Sequence, residues 1–366
     1  MNPLAPIASI TPHFLRVTPA TVWSFVRVVL TDGTTGWGEA TINGKAGEIA
    51  EETKRQAAAL RGHVCDPRVG LAPIASGKLG FAVVSAIDQA LWDIEARLAG
   101  VSLARHLTAS PKASVPLYAN INRGTTDRSP AGFAATAAAA VAAGFNSVKM
   151  APFDGLTPAM AATEQGGRLT RTGLDRIAAV GAAIRGQARL QVDCHWRFTP
   201  DAAAAIVPEL KSAGVVWFEC PIPETLDAIP DVRRLRVLSN AAGMELAGLE
   251  ELSLLSGFLP WVGAYDVMMP DVKYTGGLAE TMRIAEQLTA RGVAVSLHNP
   301  SGSVCHAVSL HVSAAVASDR PLEIQWGETP LLFDLPETPL PRPRNGASIL
   351  PPGAGHGAIL PVQKLD

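Results

Sequence analysis

Seven ionisable residues close successive apolar runs in the chain, and their spacing is regular. From the second of them onward the intervals are 26, 26, 26, 27 and 25 residues, read directly from the residue numbers. Acids scattered over helices and loops would show no such period, so the spacing predicts one strand-and-helix unit per step and groups that gather around one site. The seven residues are Lys149, Asp193, Glu219, Glu245, Asp271, His298 and Glu323.

Three consecutive members of this series are carboxylates, namely Asp193, Glu219 and Glu245. Three carboxylates that converge on one point repel each other strongly unless a cation lies between them. Hard oxygen ligands with room for water suit Mg²⁺, and Mn²⁺ would also fit. Zinc is less favoured, since no His or Cys completes a compact tetrahedron in this trio. The pattern therefore predicts a magnesium site.

Residues 116–329 must supply the elements that position these groups. Short apolar runs alternate there with Ala-rich amphipathic stretches such as "AGFAATAAAAVAAG", and eight runs in about 210 residues predict parallel strands of a (β/α)₈ barrel. Catalytic groups of such barrels lie at the carboxyl ends of the strands. The predicted strands are "VPLYANI", "FNSVKMA", "RLQVDCH", "VVWFECP", "RVLSNAAGME", "DVMMPD", "VAVSLHN" and "LEIQWGE".

Residues 1–115 have a mixed pattern that predicts an α+β domain. "SFVRVVLTDGTTGWGEA" indicates a hairpin with Asp32-Gly33 at its turn, and "VVSAIDQALWDIEARLAG" carries an apolar helical stripe that ends at Gly100. The Pro- and Gly-rich tail, residues 330–366, is expected to pack back on this first domain. The predicted organisation is therefore a capping domain of residues 1–115 with the tail, and a barrel of residues 116–329.

Composition excludes several classes of protein. The 366 residues are 48% hydrophobic and 17% charged with a net charge of −2, so the basic excess needed to bind nucleic acid is missing. Neither a cationic leader nor a long uncharged span is visible, which predicts a cytoplasmic protein without membrane association. The four cysteines lie far apart without a CxxC spacing, and this favours buried thiols over disulfides or zinc.

Nine motifs together resemble the enolase superfamily, in its mandelate racemase-like subgroup, over essentially the whole chain. Each motif alone is weak, but their order and spacing are specific. The motifs are "GWGEA" (36–40), "AIDQALWDIEARLAG" (86–100), "GFNSVKM" (144–150), "VDCH" (192–195), "FECPIPE" (218–224), "GMELAG" (243–248), "MMPDVKYTGGL" (268–278), "SLHNPSG" (296–302) and "LEIQWGE" (322–328).

The resemblance implies a modified (β/α)₈ TIM barrel with an α+β capping domain built from both termini. It also implies Mg²⁺ on Asp193, Glu219 and Glu245, and abstraction of the proton α to a substrate carboxylate. His298 would then be the base, with Asp271 fixing its tautomer, as in the superfamily's use of a Lys or His base with Mg²⁺.

The resemblance further implies that Glu323 hydrogen-bonds the enediolate, in its protonated form. One departure from the racemase pattern lies on the second strand, where racemases carry Lys-x-Lys and this chain reads Lys149, Met150, Ala151. Lys149 would neutralise the substrate carboxylate, but the base for the opposite face is missing. Racemisation is therefore disfavoured.

His195 is two residues after Asp193, so strand alternation predicts that both face the barrel mouth while Cys194 points away. An imidazole there could protonate a departing β-hydroxyl and turn proton abstraction into dehydration. Asp-x-His at this strand resembles the acid-sugar dehydratases of the superfamily. The alternative is a histidine hydrogen-bonded within the barrel rim.

The leading hypothesis is a Mg²⁺-dependent lyase that dehydrates a sugar acid, an aldonate or aldarate, to a 2-keto-3-deoxy acid. An isomerase is the alternative, either an epimerase or racemase or a cycloisomerase acting on a sugar-acid lactone or anhydro sugar acid. A non-catalytic binding barrel is a third reading, because fold alone never fixes function. The expected partner is a small sugar acid, and the chain is expected to form a homo-oligomer.

Several further residues are weaker candidates, and some of them have two possible roles. Asn120, Asn122 and Arg123 end the first barrel strand and would contact substrate or only solvent. Lys273 would be an alternative base, although Asp271 followed by His298 fits the subgroup better. Residues 16–23 are expected to form a capping loop that selects the substrate. A structural role is predicted for His306, His311 and His356, and Glu328 is expected in the loop after the last strand.

Overall fold

A computed structural model describes residues 3–365. Its strands are β1 (Ile7–Arg16), β2 (Val22–Leu30), β3 (Thr35–Glu39), β4 (Ser114–Asn120), β5 (Ser147–Met150), β6 (Arg189–Asp193), β7 (Val215–Glu219), β8 (Glu245–Gly248), β9 (Val267–Met268), β10 (Ala294–Val295), β11 (Leu322–Gln325) and β12 (Ala347–Ile349). Its α-helices are α1 (Ala46–Leu60), α2 (Gly77–Leu98), α3 (Leu103–Leu107), α4 (Pro130–Ala142), α5 (Glu164–Ile184), α6 (Pro200–Ser212), α7 (Ile229–Ala241), α8 (Leu254–Phe258), α9 (Leu278–Thr289), α10 (Ser303–Ala315) and α11 (Leu331–Asp334).

Strands β4 to β11 form one curled parallel sheet, in the order β10-β9-β8-β7-β6-β5-β4-β11. Helices alternate with the strands along the chain. At the start of several helices, an N-cap side chain accepts a hydrogen bond from a backbone N–H group of the first turn. Thr199, for example, caps α6 by accepting a hydrogen bond from the backbone N–H of Ala202, and Pro200 fills the first helical position. The barrel predicted from the alternating runs is confirmed, in the modified form that the family resemblance implies.

The cap begins with an antiparallel sheet of β1, β2 and β3. The predicted hairpin is present as β2 and β3, with Gly33 at φ 88° in its turn. The sheet packs on α2 at very short range, because a Cβ on Gly36 or Gly38 would lie 2.2 or 1.8 Å from a backbone oxygen of that helix. These contacts explain why the "GWGEA" motif needs its glycines.

Two buried acids of the cap hold it to the barrel. Glu39 accepts hydrogen bonds from the backbone N–H groups of Gly302 (2.6 Å) and Cys305 (2.9 Å), at the start of α10. Asp88 of α2 accepts one from Leu278 N (2.6 Å), at the start of α9. Carboxylates are favoured at helix N-termini, where backbone donors are unpaired. The cap is thus fixed close to the loops that follow β9 and β10.

The prediction of the fifth barrel strand is wrong. Most of "RVLSNAAGME" belongs to α7, whose Val232, Leu235 and Ser239 are buried at helical spacing. The true strand, β8, has four residues and begins at Glu245, where the predicted run ends.

The tail reaches both parts of the molecule. Strand β12 pairs antiparallel with β4 at the barrel edge. Farther on, the backbone N–H of His356 donates to Asp93 of α2 (3.0 Å), and the carbonyl of Gly355 accepts from Leu103 N (2.7 Å). We retain residues 1–115 with 330–366, and 116–329, as a proposed division into domains. Within residues 3–365, the helices are all too short or too polar to cross a membrane.

Candidate active site

Three buried carboxylates meet at the carboxyl ends of neighbouring strands. Asp193 is the last residue of β6, Glu219 is the last residue of β7, and Glu250 follows β8 by two residues. One oxygen from each lies within 4.8 Å of the others. Such a group of hard oxygen ligands could hold a metal ion.

Glu245, predicted as the third ligand, is at the opposite mouth of the barrel. It begins β8 rather than ending it, and its carboxylate forms a bidentate pair with Arg320 at 2.7 and 2.5 Å. Arg189 lies 3.7 Å from the same carboxylate. The assignment of Glu245 to the metal site is therefore wrong, and Glu250 occupies the position expected for it.

The sequence did contain a signal for Glu250. Asp193 and Glu219 close their apolar runs, whereas Glu245 opens the run "ELAG" and Glu250 follows it. The regular interval of 26 residues favours Glu245 only if residues of α7 are assigned to the strand. The position of an acid relative to its strand is a better criterion than equal spacing.

The cluster holds more negative charge than its cationic neighbour balances. Lys149 Nζ donates to Glu219 Oε1 at 2.5 Å and lies 3.1 Å from Glu323 Oε1. Burial, together with the Asp193 and Glu323 carboxylates, raises the pKa of Glu219 to about 8 despite Lys149. Burial also raises the pKa of Glu250 well above its ordinary value, and Asp193 and Glu219 add to that rise.

One oxygen of Glu250 fits a bound cation directly. Among the described residues, Glu250 Oε2 is buried and accepts no hydrogen bond, although His298 Nε2 lies 3.3 Å away. A buried carboxylate oxygen without a donor is costly, and a hard cation would satisfy it. The residues present therefore fit a divalent metal ion held by Asp193, Glu219 and Glu250.

His298 and Asp271 form a dyad beside the cluster. His298 Nδ1 lies 2.9 Å from Asp271 Oδ2, and this contact leaves Nε2 turned toward the cluster. Lys273 Nζ lies 3.3 Å from the same Asp271 oxygen and donates to Ser301 at 2.8 Å. Burial alone would raise the pKa of Asp271, but Lys273 and His298 lower it, so this carboxylate is ionised and can orient the imidazole.

Glu323 lies next to the dyad, and its neighbours favour its ionised form. Burial alone would raise its pKa, but the charges of Lys149 and His298 and a hydrogen bond from Asn120 Nδ2 (2.6 Å) lower it. Its second oxygen accepts from the backbone N–H of Asn299 at 3.1 Å. A buried lysine lies against its carboxylate and favours the ionised form, whereas the resemblance implies a protonated Glu323 when substrate is bound.

His195 reaches the same site by a turn. Strand β6 ends at Asp193, and His195 has a left-handed backbone conformation with φ 48°. Its Nε2 lies 2.8 Å from Asp193 Oδ2, and the charge of Asp193 raises the pKa of His195. Cys194 is fully buried in the barrel core.

A cavity of about 300 Å³ lies over the cluster, between cap and barrel. Asp193, His195, Glu250 and His298 line it, while Lys149, Glu219, Asp271 and Glu323 are buried behind them. Both elements contribute further lining residues, and these include most of the weaker candidates. The further lining residues are Thr41, Ile42, Asn43 and Lys78 from the cap, and Asn120, Asn122, Arg123, Trp196, Glu251, Lys273, Tyr274, Pro300, Ser301 and Gln325 from the barrel.

The remaining candidates lie away from this cavity. Glu328 follows β11 and joins the cap, since its Oε1 accepts from the Thr21 hydroxyl at 2.6 Å. His306, His311 and His356 are fully buried, and burial lowers the pKa of His306 to about 4 and of His311 to about 3. All four cysteines are buried free thiols.

Comparisons with known proteins agree with this architecture. Residues 4–107 match the model of the mandelate racemase / muconate lactonizing enzyme N-terminal domain, and residues 132–363 match the enolase C-terminal domain-like model. A member of the enolase superfamily from Salmonella Typhimurium has the same fold, with a TM-score of 0.86, 21% identity and coverage of 99% of this chain and 98% of that chain.

Three curated relatives are enzymes acting on sugar acids or their lactones. A D-galactarolactone cycloisomerase of Agrobacterium fabrum is 29% identical, over 91% of this chain and 87% of its own. A D-galactonate dehydratase of Verminephrobacter eiseniae is 26% identical, over 81% of this chain and 76% of its own. A D-gluconate dehydratase of Thermoproteus tenax is 29% identical over 81% of this chain. The aligned part covers 60% of the length of that relative. With both domain models matched in order, this chain belongs to the mandelate racemase / muconate lactonizing enzyme family of the enolase superfamily.

Proposed function

We propose that the protein is a Mg²⁺-dependent dehydratase that converts an aldonate into a 2-keto-3-deoxy acid. The observation that carries this proposal is the meeting of three carboxylates and the His298–Asp271 dyad at one cavity, with His298 Nε2 3.3 Å from Glu250. Asp193, Glu219 and Glu250 would hold the metal ion. When bound, it would supply positive charge for the substrate carboxylate and for the enediolate that develops from it.

His298 is proposed to take the proton from C2 of the substrate, since its Nδ1 is held by Asp271 and its Nε2 is turned to the cavity. The electron pair of the C–H bond passes into the enediolate and then forms the C2–C3 double bond as the C3–O bond breaks. His195 gives its proton to the departing hydroxide, which leaves as water. The remaining enol gains a proton at C3 and loses one from its hydroxyl group, and this gives the 2-keto acid.

The buried charges behind the cavity support the first step. Lys149 is held between Glu219 and Glu323, and its positive charge lies beside the cluster where negative charge grows. Glu323 fixes this lysine and also the backbone of Asn299, the neighbour of His298. We infer that Lys149 and Glu323 influence the reaction through the metal ligands and His298, and that they do not line the cavity themselves.

The charges around the cavity favour a substrate with one carboxylate. Each lining cation already has an acidic partner. Lys78 pairs with Glu251, Arg123 lies 3.5 Å from Glu328, and Lys273 lies 3.3 Å from Asp271. A second carboxylate at the far end of an aldarate would compete with these acids, whereas hydroxyl groups can bond with Thr41, Asn43 and Asn122.

The second candidate function is isomerisation, and the cycloisomerase relative favours it, since that protein covers 91% of this chain. A cycloisomerase also needs a base beside an activated carboxyl group, so His298 and the metal cluster would serve it equally. The two functions differ in whether water and a keto group are produced.

A screen of aldonates and aldarates with Mg²⁺ tests the proposal, with semicarbazide detecting 2-keto products and solvent deuterium detecting exchange at C2. We expect one or more aldonates to give a keto product. Exchange or ring rearrangement without any keto product would contradict dehydration and favour the isomerase. Turnover of aldarates alone would contradict the substrate class and leave the reaction type intact.

A further inference from the structure

Glu224, in the loop after β7, accepts hydrogen bonds from three separate segments of the chain. Its Oε2 accepts from Trp196 Nε1 at 2.9 Å. Its Oε1 accepts from Leu249 N at 2.8 Å and from the Tyr265 hydroxyl at 2.7 Å, and Cys220 Sγ lies 3.8 Å away. Trp196, Cys220 and Leu249 lie in the turns that follow β6, β7 and β8, the strands that lead to the three carboxylates.

The same three turns have backbone conformations that L-residues rarely adopt. His195, Trp196, Cys220 and Leu249 have φ values of 48°, 57°, 43° and 71°, and they are four of the six non-glycine residues with positive φ among those described. Such conformations persist only where surrounding contacts hold them. Cys220 directly follows one cluster carboxylate, and Leu249 directly precedes another. The direction of these carboxylates thus depends on contacts that keep the turns in place.

The space around Glu224 is also built to fit it. A Cβ on Gly248 would lie 2.3 Å from Glu224 Oε1 and 2.9 Å from the ring of Tyr265. Any other residue at position 248 would push the Glu224 carboxylate away from Leu249 N. The strand that leads to Glu250 therefore leaves room for this one side chain.

We propose that Glu224 is a positioning residue of the metal centre, which holds the turns beside Asp193, Glu219 and Glu250 so that their carboxylates converge. The inference rests on the proposed metal-dependent function. Glu224 itself does not touch the cation in this account. Loss of its acceptor oxygens frees Trp196 and Leu249, and the three ligands then lose part of their common geometry.

Titration of Mg²⁺ into the full chain by calorimetry tests the inference, with E224Q as the variant and E245Q as its matched control. The side chain of Gln has one acceptor oxygen and one donor nitrogen, so the hydrogen bond from Trp196 or the one from Leu249 is lost. We expect Mg²⁺ to bind E224Q about 10- to 100-fold more weakly, the range known for residues that support metal ligands. E245Q loses an ion pair at the other mouth and should bind Mg²⁺ like the wild type.

Thermal unfolding of the metal-free variants is measured alongside, since a purely structural role would lower the Tm without changing the Kd for Mg²⁺. An unchanged Kd in E224Q would overturn the inference. Should E224Q not fold, Y265F replaces it and must weaken Mg²⁺ binding, and an unchanged Kd there would overturn the inference as well. A wild type that binds no Mg²⁺ contradicts the proposed metal centre itself, whereas equal binding by wild type and E224Q contradicts only the role of Glu224.

Discussion

The two mouths of the barrel both carry acids and cations, but they balance them differently. At the amino-terminal mouth, Glu245 is matched by Arg320 and Arg189 beside a cavity of about 530 Å³. At the carboxyl-terminal mouth, Asp193, Glu219 and Glu250 converge beside a smaller cavity of about 300 Å³, and the nearest buried lysine, Lys149, is shared with Glu323.

Charge compensation therefore distinguishes the candidate functional mouth better than cavity size does. Beside the larger cavity, the charge of Glu245 is balanced by Arg189 and Arg320, which line that cavity. At the smaller cavity, one carboxylate oxygen has no donor, and burial together with neighbouring carboxylates raises the pKa values of Glu219 and Glu250. In the proposed function, a cation and an anionic substrate would complete that mouth.

The largest effect is expected for H298N. This change removes the proposed base at the carboxyl-terminal mouth and should lower kcat for keto-acid formation by about 10²- to 10⁴-fold. Deuterium exchange at C2 should fall with it, because both need the same proton transfer. Far-ultraviolet circular dichroism and Tm should stay near the wild-type values. Full exchange activity in H298N would show that another residue is the base.

A second prediction compares E250Q with E245Q, one acid from each mouth. E250Q should weaken Mg²⁺ binding by about 100-fold or more, since supporting residues alone account for 10- to 100-fold. E245Q should keep the wild-type Kd and lose only stability, by about 3 kcal/mol or less, since Arg320 is partly exposed and would be left without its partner. Calorimetric titration measures the first effect, and chemical denaturation the second. Weaker Mg²⁺ binding in E245Q instead would reverse the assignment of the two mouths.

The third prediction concerns His195. H195N removes the proposed acid but keeps the base, so keto-acid formation should fall by about 10²-fold while deuterium exchange at C2 continues. Nuclear magnetic resonance of the substrate in deuterium oxide measures both rates. Equal loss of the two rates would mean that His195 serves the first step or the structure of the rim.

The smallest effect is the pH dependence of stability. Burial raises the folded-state pKa of Glu219 to about 8 from its ordinary value of 4.5, so the metal-free protein holds a proton there that the unfolded chain has lost. This stability is complete below pH 4.5 and is lost as the pH rises through 8. Bound Mg²⁺ would replace the proton, so the rise in Tm caused by Mg²⁺ should be larger at pH 8.5 than at pH 5. Differential scanning fluorimetry at pH 5 and pH 8.5 measures this rise in Tm. An equal rise at the two pH values would contradict the prediction.

Much of the carboxyl-terminal mouth is predictable from the sequence, because parallel strands bring the groups that close their apolar runs to one edge. Asp193, Glu219, Asp271 and His298 come together in this way. Glu245 does not, since the apolar residues before it follow the helical period of α7 and the strand begins only at the acid itself. Single-sequence periodicity does not separate a short strand from the helix that precedes it.

Other features depend on contacts between distant segments and are not visible in the sequence. The pKa of Glu323 is lowered chiefly by Lys149, which is 174 residues earlier in the chain but 3.1 Å away in the fold. His195 was expected on the strand, but it reaches the cavity through a left-handed turn. Both follow from packing around the barrel axis, whereas the spacing of residues reports only their order along the chain.

Anomalous diffraction from crystals grown with Mn²⁺ tests the central contrast most directly. We expect one strong anomalous peak at the carboxyl-terminal mouth, from an ion bonded to oxygens of Asp193, Glu219 and Glu250. A peak beside Glu245, or an empty cluster at a Mn²⁺ concentration that supports turnover, would contradict it.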